Sequence, residues 1–217
     1  MKILNLYAGI GGNRKLWSDR HEITSVEYDE NIAAVYADLW PNDTLIVGDA
    51  HEYLRQHFAE FDFIWSSPPC QSHSSFRHNL RVRYGQAEPV FADMSLYEEI
   101  LFLQHYATGY WLVENVVPYY GTLIPAQKVG RHLYWTNFDL PHLPHLNDNI
   151  RGNNKIADLE ALHGFDLSAY SLPNKRQVLR NVVSPEIGAR IVAEVDRLHK
   201  GEDVAENNFA NDVALLW

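Results

Sequence analysis

Lys2-Ile3-Leu4-Asn5-Leu6-Tyr7-Ala8-Gly9-Ile10-Gly11-Gly12-Asn13 begins as an apolar run, passes into a glycine-rich turn and continues into a stretch of helical spacing. Glycines at such a junction allow positive φ and let a ligand approach the backbone, and a helix N-terminus beyond them offers free amide donors. The turn is not the spaced G-x-G-x-x-G of dinucleotide enzymes, and a tight strand-to-helix connection explains it equally well. The pattern then repeats. Apolar, β-branched or aromatic runs recur at 23–27, 44–47, 61–65 and 110–113, and helical spacing fills Glu30 to Leu39 and Ser95 to Tyr106. Strands alternating with helices predict an α/β fold, a mostly parallel sheet with helices on both faces. In such sheets ligands bind at the carboxyl ends of the strands.

The chain of 217 residues is 46% hydrophobic and 21% charged, a globular composition that suits one sizeable domain, placed at residues 1–200. Leu133 to Phe138 reads as a further strand, 139–154 as turn-rich loop, and Lys155 to His163 and Pro185 to Leu198 as the last helices. The acidic tail 201–217 is expected to be mobile. No internal repeat is found. No basic-then-apolar leader and no apolar run of about 18 residues occur, so a soluble chain is expected. A single cysteine suits a reducing compartment, with the cytoplasm as default. The 11 histidines are scattered without zinc-site spacing, and no metal is expected.

The net charge of −10 argues against a nucleic-acid partner until its distribution is considered. Residues 71–86 contain Arg77, His78, Arg81 and Arg83 and no acid, and Lys175, Arg176 and Arg180 form a second basic group. These residues make either a positive face on an acidic body or ordinary solvated surface.

Strand ends carry the chemistry. Cys70 follows the fourth apolar run in Ser66-Ser67-Pro68-Pro69-Cys70-Gln71, where two prolines exclude a helix interior or a central strand. A lone thiol is either a small buried hydrophobe or a nucleophile. Glu27 ends the second run where a nucleoside's ribose hydroxyls would be gripped, and Asp49 follows the third where it could accept from an adenine amino group; either is otherwise a helix cap. Glu114 follows the fifth run and faces the same rim as Cys70.

Leu6-Tyr7-Ala8-Gly9-Ile10-Gly11-Gly12, Pro68-Pro69-Cys70-Gln71 and Glu114-Asn115-Val116, in that order, resemble the DNA (cytosine-5)-methyltransferases. Leu162-His163-Gly164-Phe165 is similar to the family's Leu-Gln-Gly-Phe element, and Arg180-Asn181-Val182-Val183 to its Gly-Asn-x-Val element. The resemblance spans about residues 3 to 198. It implies a Rossmann-like, S-adenosylmethionine-dependent methyltransferase fold and methyl transfer to C5 of cytosine in DNA. Cytosine C5 is too poor a nucleophile to take a methyl group unaided, so the Cys70 thiolate would first add at C6, with Glu114 stabilising the ring charge at N3. The base would be flipped out of the duplex. Tyr7, Gly9, Gly11, Gly12, Glu27, Asp49, Pro69 and Asn181 fall on the cofactor side by this resemblance, Tyr7 as the ring that stacks on adenine. Asn181 also stands where the family has an asparagine that braces its recognition region. Gln71, Ser74, Arg77, Arg81 and Arg83, on a loop running to about Asp93, are the DNA-contact candidates.

Two departures stand out. The family's glutamine is followed by two arginines flanking one residue, the second contacting the cytosine O2. Counting from Gln127 puts Val129 at the first and Arg131 at the second, with His132 as the alternative if the register slips. Arg131 is favoured. The recognition region, commonly a small domain, is reduced to 139–154, about 16 residues and too few for a core of their own. Short or relaxed specificity is expected, or specificity supplied by a partner or second protomer. A tRNA-modifying branch shares these motifs, so RNA is the rival substrate, and an inactive nucleic-acid-binding member is the rival class. Restriction protection, phage defence evasion and gene regulation would all use this chemistry.

Overall fold

The computed structural model describes residues 1–143 and 155–202; some of the expected recognition segment and most of the acidic tail lie outside the described residues. Strand β1 (Lys2–Leu6) leads through the glycine turn to β2 (Glu22–Glu27), helix α1 (Glu30–Leu39) and β3 (Thr44–Val47). Helix α2 (Ala50–His57), β4 (Phe63–Ser66), α3 (Ser95–Tyr106) and β5 (Tyr110–Val116) follow, then the hairpin β6 (Gln127–Val129) and β7 (His132–Thr136). Helices α4 (Ile156–His163), α5 (Lys175–Arg180) and α6 (Pro185–His199) complete the described chain.

The sheet has seven strands in the order β3-β2-β1-β4-β5-β7-β6. The first five are parallel, and β7 runs against both β5 and β6. This is the Rossmann-like architecture expected. Alternation within each strand sorts the core. Leu4, Leu6, Ile64 and Val113 pack with Leu54 of α2 and Leu96, Ile100 and Leu103 of α3. Ile3, Phe63, Trp65 and Leu112 point the other way, against Ile187, Ile191, Val192 and Val195 of α6. Burying each such side chain is worth about 1.5–3 kcal/mol, so α6 is tied firmly to the sheet. A third cluster joins α1, α4 and α5 around Ile10 and Leu179.

Local chemistry sets the helix starts. Asp29 accepts from the amides of Asn31 and Ile32 to cap α1, Asp49 accepts from that of Glu52 to cap α2, and Pro185 occupies the first turn of α6. The helix expected after the glycine turn is not formed. Only a 3₁₀ turn, Asn13–Leu16, is present. The side chains there are drawn inward: Asn13 exchanges hydrogen bonds with Asn5 and accepts from the Arg14 amide, while Arg14 grips Asp43 through Nε and Nη2 at 2.8 and 3.1 Å. The fifth strand runs three residues beyond the expected Val113 because β7 pairs with it from Leu112 to Val116, so Glu114 lies within the strand rather than after it. The seventh strand is displaced to His132–Thr136, and α2, α5, the short β6 and a π-helical turn at Arg77–Val82 are additions to the expected elements.

Gly11 packs against the side chains of α1 and its C-terminal end. Its φ is +79°, and a Cβ there would collide with the Trp40 indole and lie 2.9 Å from Cε2 of Tyr36. Both strain and overpacking oppose a side chain. Gly11→Ala is expected to lower unfolding stability by about 2–4 kcal/mol in denaturant titration; a loss under about 0.5 kcal/mol would show that the turn relaxes freely.

Candidate active site

The C-terminal ends of β1, β2 and β3 build one side of the site. Tyr7 adopts φ +56°, a left-handed conformation that costs a non-glycine residue about 1–2 kcal/mol. It is held by its hydroxyl, which donates to Oε1 of Glu99. Burial pushes the Tyr7 phenol far above its ordinary range, with the Glu99 charge adding to the effect. Glu99 is fully buried on α3, and it also accepts from Ser66 Oγ at 2.7 Å and lies 3.2 Å from His51 Nδ1. The hydrogen bond to Glu99 raises the pKa of His51. Glu27 accepts from the Gly9 amide at 2.8 Å and the Asp29 amide at 2.9 Å, so it shapes the glycine turn besides facing the cleft. Asp49 likewise combines its capping role with a place on the cleft wall.

The ends of β4 and β5 build the other side. Asn115 Nδ2 donates to the Pro68 carbonyl at 3.0 Å, which fixes the double proline against β5. The Cys70 carbonyl accepts from the amides of His73 and Ser74 at 3.1 and 3.0 Å. Beyond it the chain lies along the continuation of β5: Ser74 bridges to Pro118, Ser75 Oγ donates to the Val117 carbonyl and the Tyr119 amide to that of His73. The nucleophile candidate is therefore carried on a loop anchored at both ends. Burial pushes the Cys70 thiol up to about 11, the negative charge of Glu114 pushes in the same direction, and Arg131 and Arg180 pull it down. Glu114 is buried, with His132 Nε2 3.5 Å from its Oε1.

A single cleft of about 1540 Å³ runs from the glycine turn to Cys70. Tyr7, Gly9, Gly12, Glu27 and Asp49 line one end, and Cys70, Gln71, Ser74, Glu114 and Arg131 the other; Pro69, Arg77 and Asn181 also face it. Arg131 and His132 both reach the cleft. Gly11 and Arg83 do not line it. Gly11 is turned into the Tyr36 and Trp40 packing, and Arg83 is exposed beyond the π-helical turn. The Arg81 side chain lies outside the described residues.

Sequence reasoning missed Glu99, His51 and Asn115. Glu99 left a trace: it follows Leu96 by three residues and precedes Leu103 by four, on the buried stripe of a helix. A carboxylate on that stripe demands donors. Asn115 was visible only within Glu114-Asn115-Val116, and its partner 47 residues away was not.

The model of the C-5 cytosine-specific DNA methylase family matches residues 1–118. No curated protein matches the chain. Among solved structures, a Spodoptera frugiperda DNMT2 mutant is 27% identical, with a TM-score of 0.36 over 53% of this chain and 35% of that one. The putative methyltransferase yhhF of Escherichia coli is 18% identical, with a TM-score of 0.40 over 62% of this chain and 74% of that one. The Entamoeba histolytica methyltransferase EhMeth is 15% identical, with a TM-score of 0.34 over 54% of this chain and 38% of that one. The chain thus spans about a third of the length of the DNMT2 structure. The family match takes in the glycine turn, Cys70 on its proline-rich loop and Glu114 on β5, more than half of the 217 residues, and by it the chain belongs to the C-5 cytosine-specific DNA methylase family.

Proposed function

We propose that this protein transfers a methyl group from S-adenosylmethionine to C5 of cytosine in DNA, through a covalent bond between Cys70 and C6 of a flipped base. One observation carries the reading: the adjacent parallel strands β4 and β5 deliver Cys70 and Glu114 into the same cleft that begins at the glycine turn.

The cofactor fits the other end of that cleft. A Cβ added at Gly9 would meet nothing within 4 Å, so there is open space before it. Around it stand the Tyr7 ring and the Glu27 and Asp49 carboxylates, groups suited to an adenine and its ribose hydroxyls. Bound there, S-adenosylmethionine would supply the electrophilic methyl group that C5 takes.

The protein's own residues prepare C5. Addition of Cys70 Sγ to C6 makes C5 nucleophilic, and Glu114 holds a proton at N3 so that the ring's negative charge is not left unpaired. Once C5 carries the methyl group, a base takes the C5 proton, its electron pair re-forms the C5–C6 double bond, and the C6–S bond breaks to release Cys70 as thiolate. The two residues are electrostatically linked. A thiol with a pKa of about 11 is thiolate in only about one molecule in ten thousand at pH 7. Once Glu114 carries a proton, the charge that helps hold the thiol up is gone, and the thiolate forms more readily when the base is in place. Short or relaxed sequence recognition, or recognition supplied by a partner or second protomer, completes this reading, because the 139–154 segment is too short for a core.

Incubation with methyl-labelled S-adenosylmethionine and mixed-sequence duplex DNA should yield labelled 5-methylcytosine. Cys70→Ala should abolish it while cofactor affinity stays within about twofold; residual turnover would remove Cys70 as nucleophile, and label in RNA alone would overturn the DNA substrate. Glu27→Ala and Asp49→Ala should each weaken cofactor binding by about tenfold or more, and unchanged affinity in both would refute the pocket. Glu114→Gln separates the two effects of that carboxyl. Methyl transfer should fall by about 10²–10⁴-fold, whereas iodoacetamide alkylation of Cys70 at pH 8 in the free protein should accelerate, because the charge that raises the thiol has been removed. Slower alkylation would contradict the linkage.

A further inference from the structure

We propose that His51 is a positioning residue for the cofactor: its imidazolium, set between Glu98 and Glu99, keeps the buried Glu99 carboxylate charged and thereby fixes the Tyr7 ring at the adenine end of the cleft. The inference rests on the reading of that end as the S-adenosylmethionine site and adds to it a residue that takes no part in the methyl transfer itself.

Glu99 is fully buried and both of its oxygens are used. Oε1 accepts from the Tyr7 hydroxyl and from His51 Nδ1 at 3.2 Å, and Oε2 accepts from Ser66 Oγ at 2.7 Å. Tyr7 and Ser66 are neutral donors, so of these three partners only His51 brings a positive charge. A carboxylate shut away from water keeps its charge only when an opposite charge and hydrogen bonds compensate for it. A protonated carboxyl would turn one oxygen into a donor and compete with Tyr7 and Ser66 for the remaining lone pairs.

The imidazole is placed to serve both carboxylates of the helix beside it. Nδ1 faces Glu99, and Nε2 lies 3.7 Å from Oε2 of Glu98, within ion-pair range. A neutral imidazole donates from only one of its nitrogens, so only the imidazolium satisfies both contacts. The hydrogen bond to Glu99 raises the His51 pKa above its ordinary value; part burial opposes that rise, and the charges of Glu99, Glu98 and Asp49 support it. The other titratable groups around the ring do not reverse this. Asp93, on the loop before α3, and Glu52, on α2 and paired with Arg55 at 2.6 Å, are both acids, and Tyr7, on the far side of Glu99, stays neutral because burial pushes its phenol far above the ordinary range.

The same contacts reach the cofactor end of the cleft. Tyr7, Asp49, His51 and Glu98 line it, and the buried Glu99 lies behind them. Tyr7 holds a left-handed φ of +56°, a conformation that persists only where neighbours over-determine it, and its hydroxyl is held by Glu99. Loss of the His51 proton leaves Glu99 without its counter-charge and so weakens the acceptor that holds the ring. Affinity at the adenine end is therefore greatest while His51 is protonated and is lost as pH rises through its raised pKa.

The test measures S-adenosylmethionine binding to the full chain by calorimetry from about pH 6 to about pH 9, with and without the imidazole. His51→Asn keeps a neutral donor near the Nδ1 position and carries no charge. Titration of the cofactor's own amino group is common to both proteins and cancels in the ratio of their dissociation constants. That ratio, variant over native, is expected to be about tenfold at the acid end and to fall towards equality at the alkaline end. In the cofactor-free protein, nuclear magnetic resonance of the His51 ring should show a titration midpoint above the ordinary histidine value that falls in Glu99→Gln. A ratio that does not change with pH overturns the proposal: near equality throughout, His51 positions nothing, and high throughout, the ring acts by contact rather than by charge. A His51 midpoint that Glu99→Gln leaves unmoved overturns it as well. If the native chain binds no S-adenosylmethionine at any pH, the reading of the cofactor site fails and takes the proposal with it, whereas binding that Asp49→Ala weakens and His51→Asn spares at every pH leaves that reading standing and removes His51 alone.

Discussion

The glycine turn after β1 is the point on which the two walls of the cleft depend. At Gly11 the backbone presses against Trp40 and Tyr36, and at Gly12 against Val182 and Val183, with no room for a side chain at either place. The first contact joins the turn to α1 and the second to the segment after α5. Beneath them a buried polar chain runs from the paired amides of Asn5 and Asn13 through Ser25 and Tyr36 to Asp43 and Arg14. Removing one partner of a buried pair such as Arg14 and Asp43 would cost about 3–5 kcal/mol, although an apolar replacement of both could be neutral. Such a network does more to fix where the turn lies than to raise total stability.

Glu99 does for the strand ends what that network does for the turn. Its carboxylate gathers Tyr7 from the end of β1, Ser66 from the end of β4 and His51 from the start of α2, and so ties three strand-end segments to α3. A carboxylate with no access to water is tolerable only when its lone pairs are used. The same bonds hold Tyr7 in its left-handed conformation, so the strain sits where the cofactor's adenine is proposed to lie.

What could be read from the chain alone followed from range. Strands β1 to β5 and helices α1 and α3 show their period within a single window, and α1 and α3 fall at the expected residues because burial and local propensity agree there. The three-residue β6 has no period to display and exists through pairing with β7. Helix α2 is too polar and too short to stand out, and its start is set by the Asp49 cap. The same division runs through the site. Cys70 and Glu114 were legible because each closes or occupies an apolar strand, whereas Asn115 and Glu99 matter through partners 47 and 33 residues distant. At Gly11 the chain alone announces close approach but not the neighbour, which is a tryptophan 29 residues on.

The electrostatics of Cys70 follow from these placements. A loop anchored by Asn115 and laid along residues 116–119 buries the thiol, and burial beside Glu114 keeps it protonated in the free protein. A protonated thiol is a poorer nucleophile and a poorer target for oxidation than the thiolate. In the proposed reaction, reactivity would then come from a change that accompanies the substrate, a proton on Glu114. The packing of Val182 and Val183 on Gly12 joins the glycine turn to the segment after α5, and both line the cleft that contains Cys70, so the wall opposite the strand ends is built on a contact with no room for a side chain.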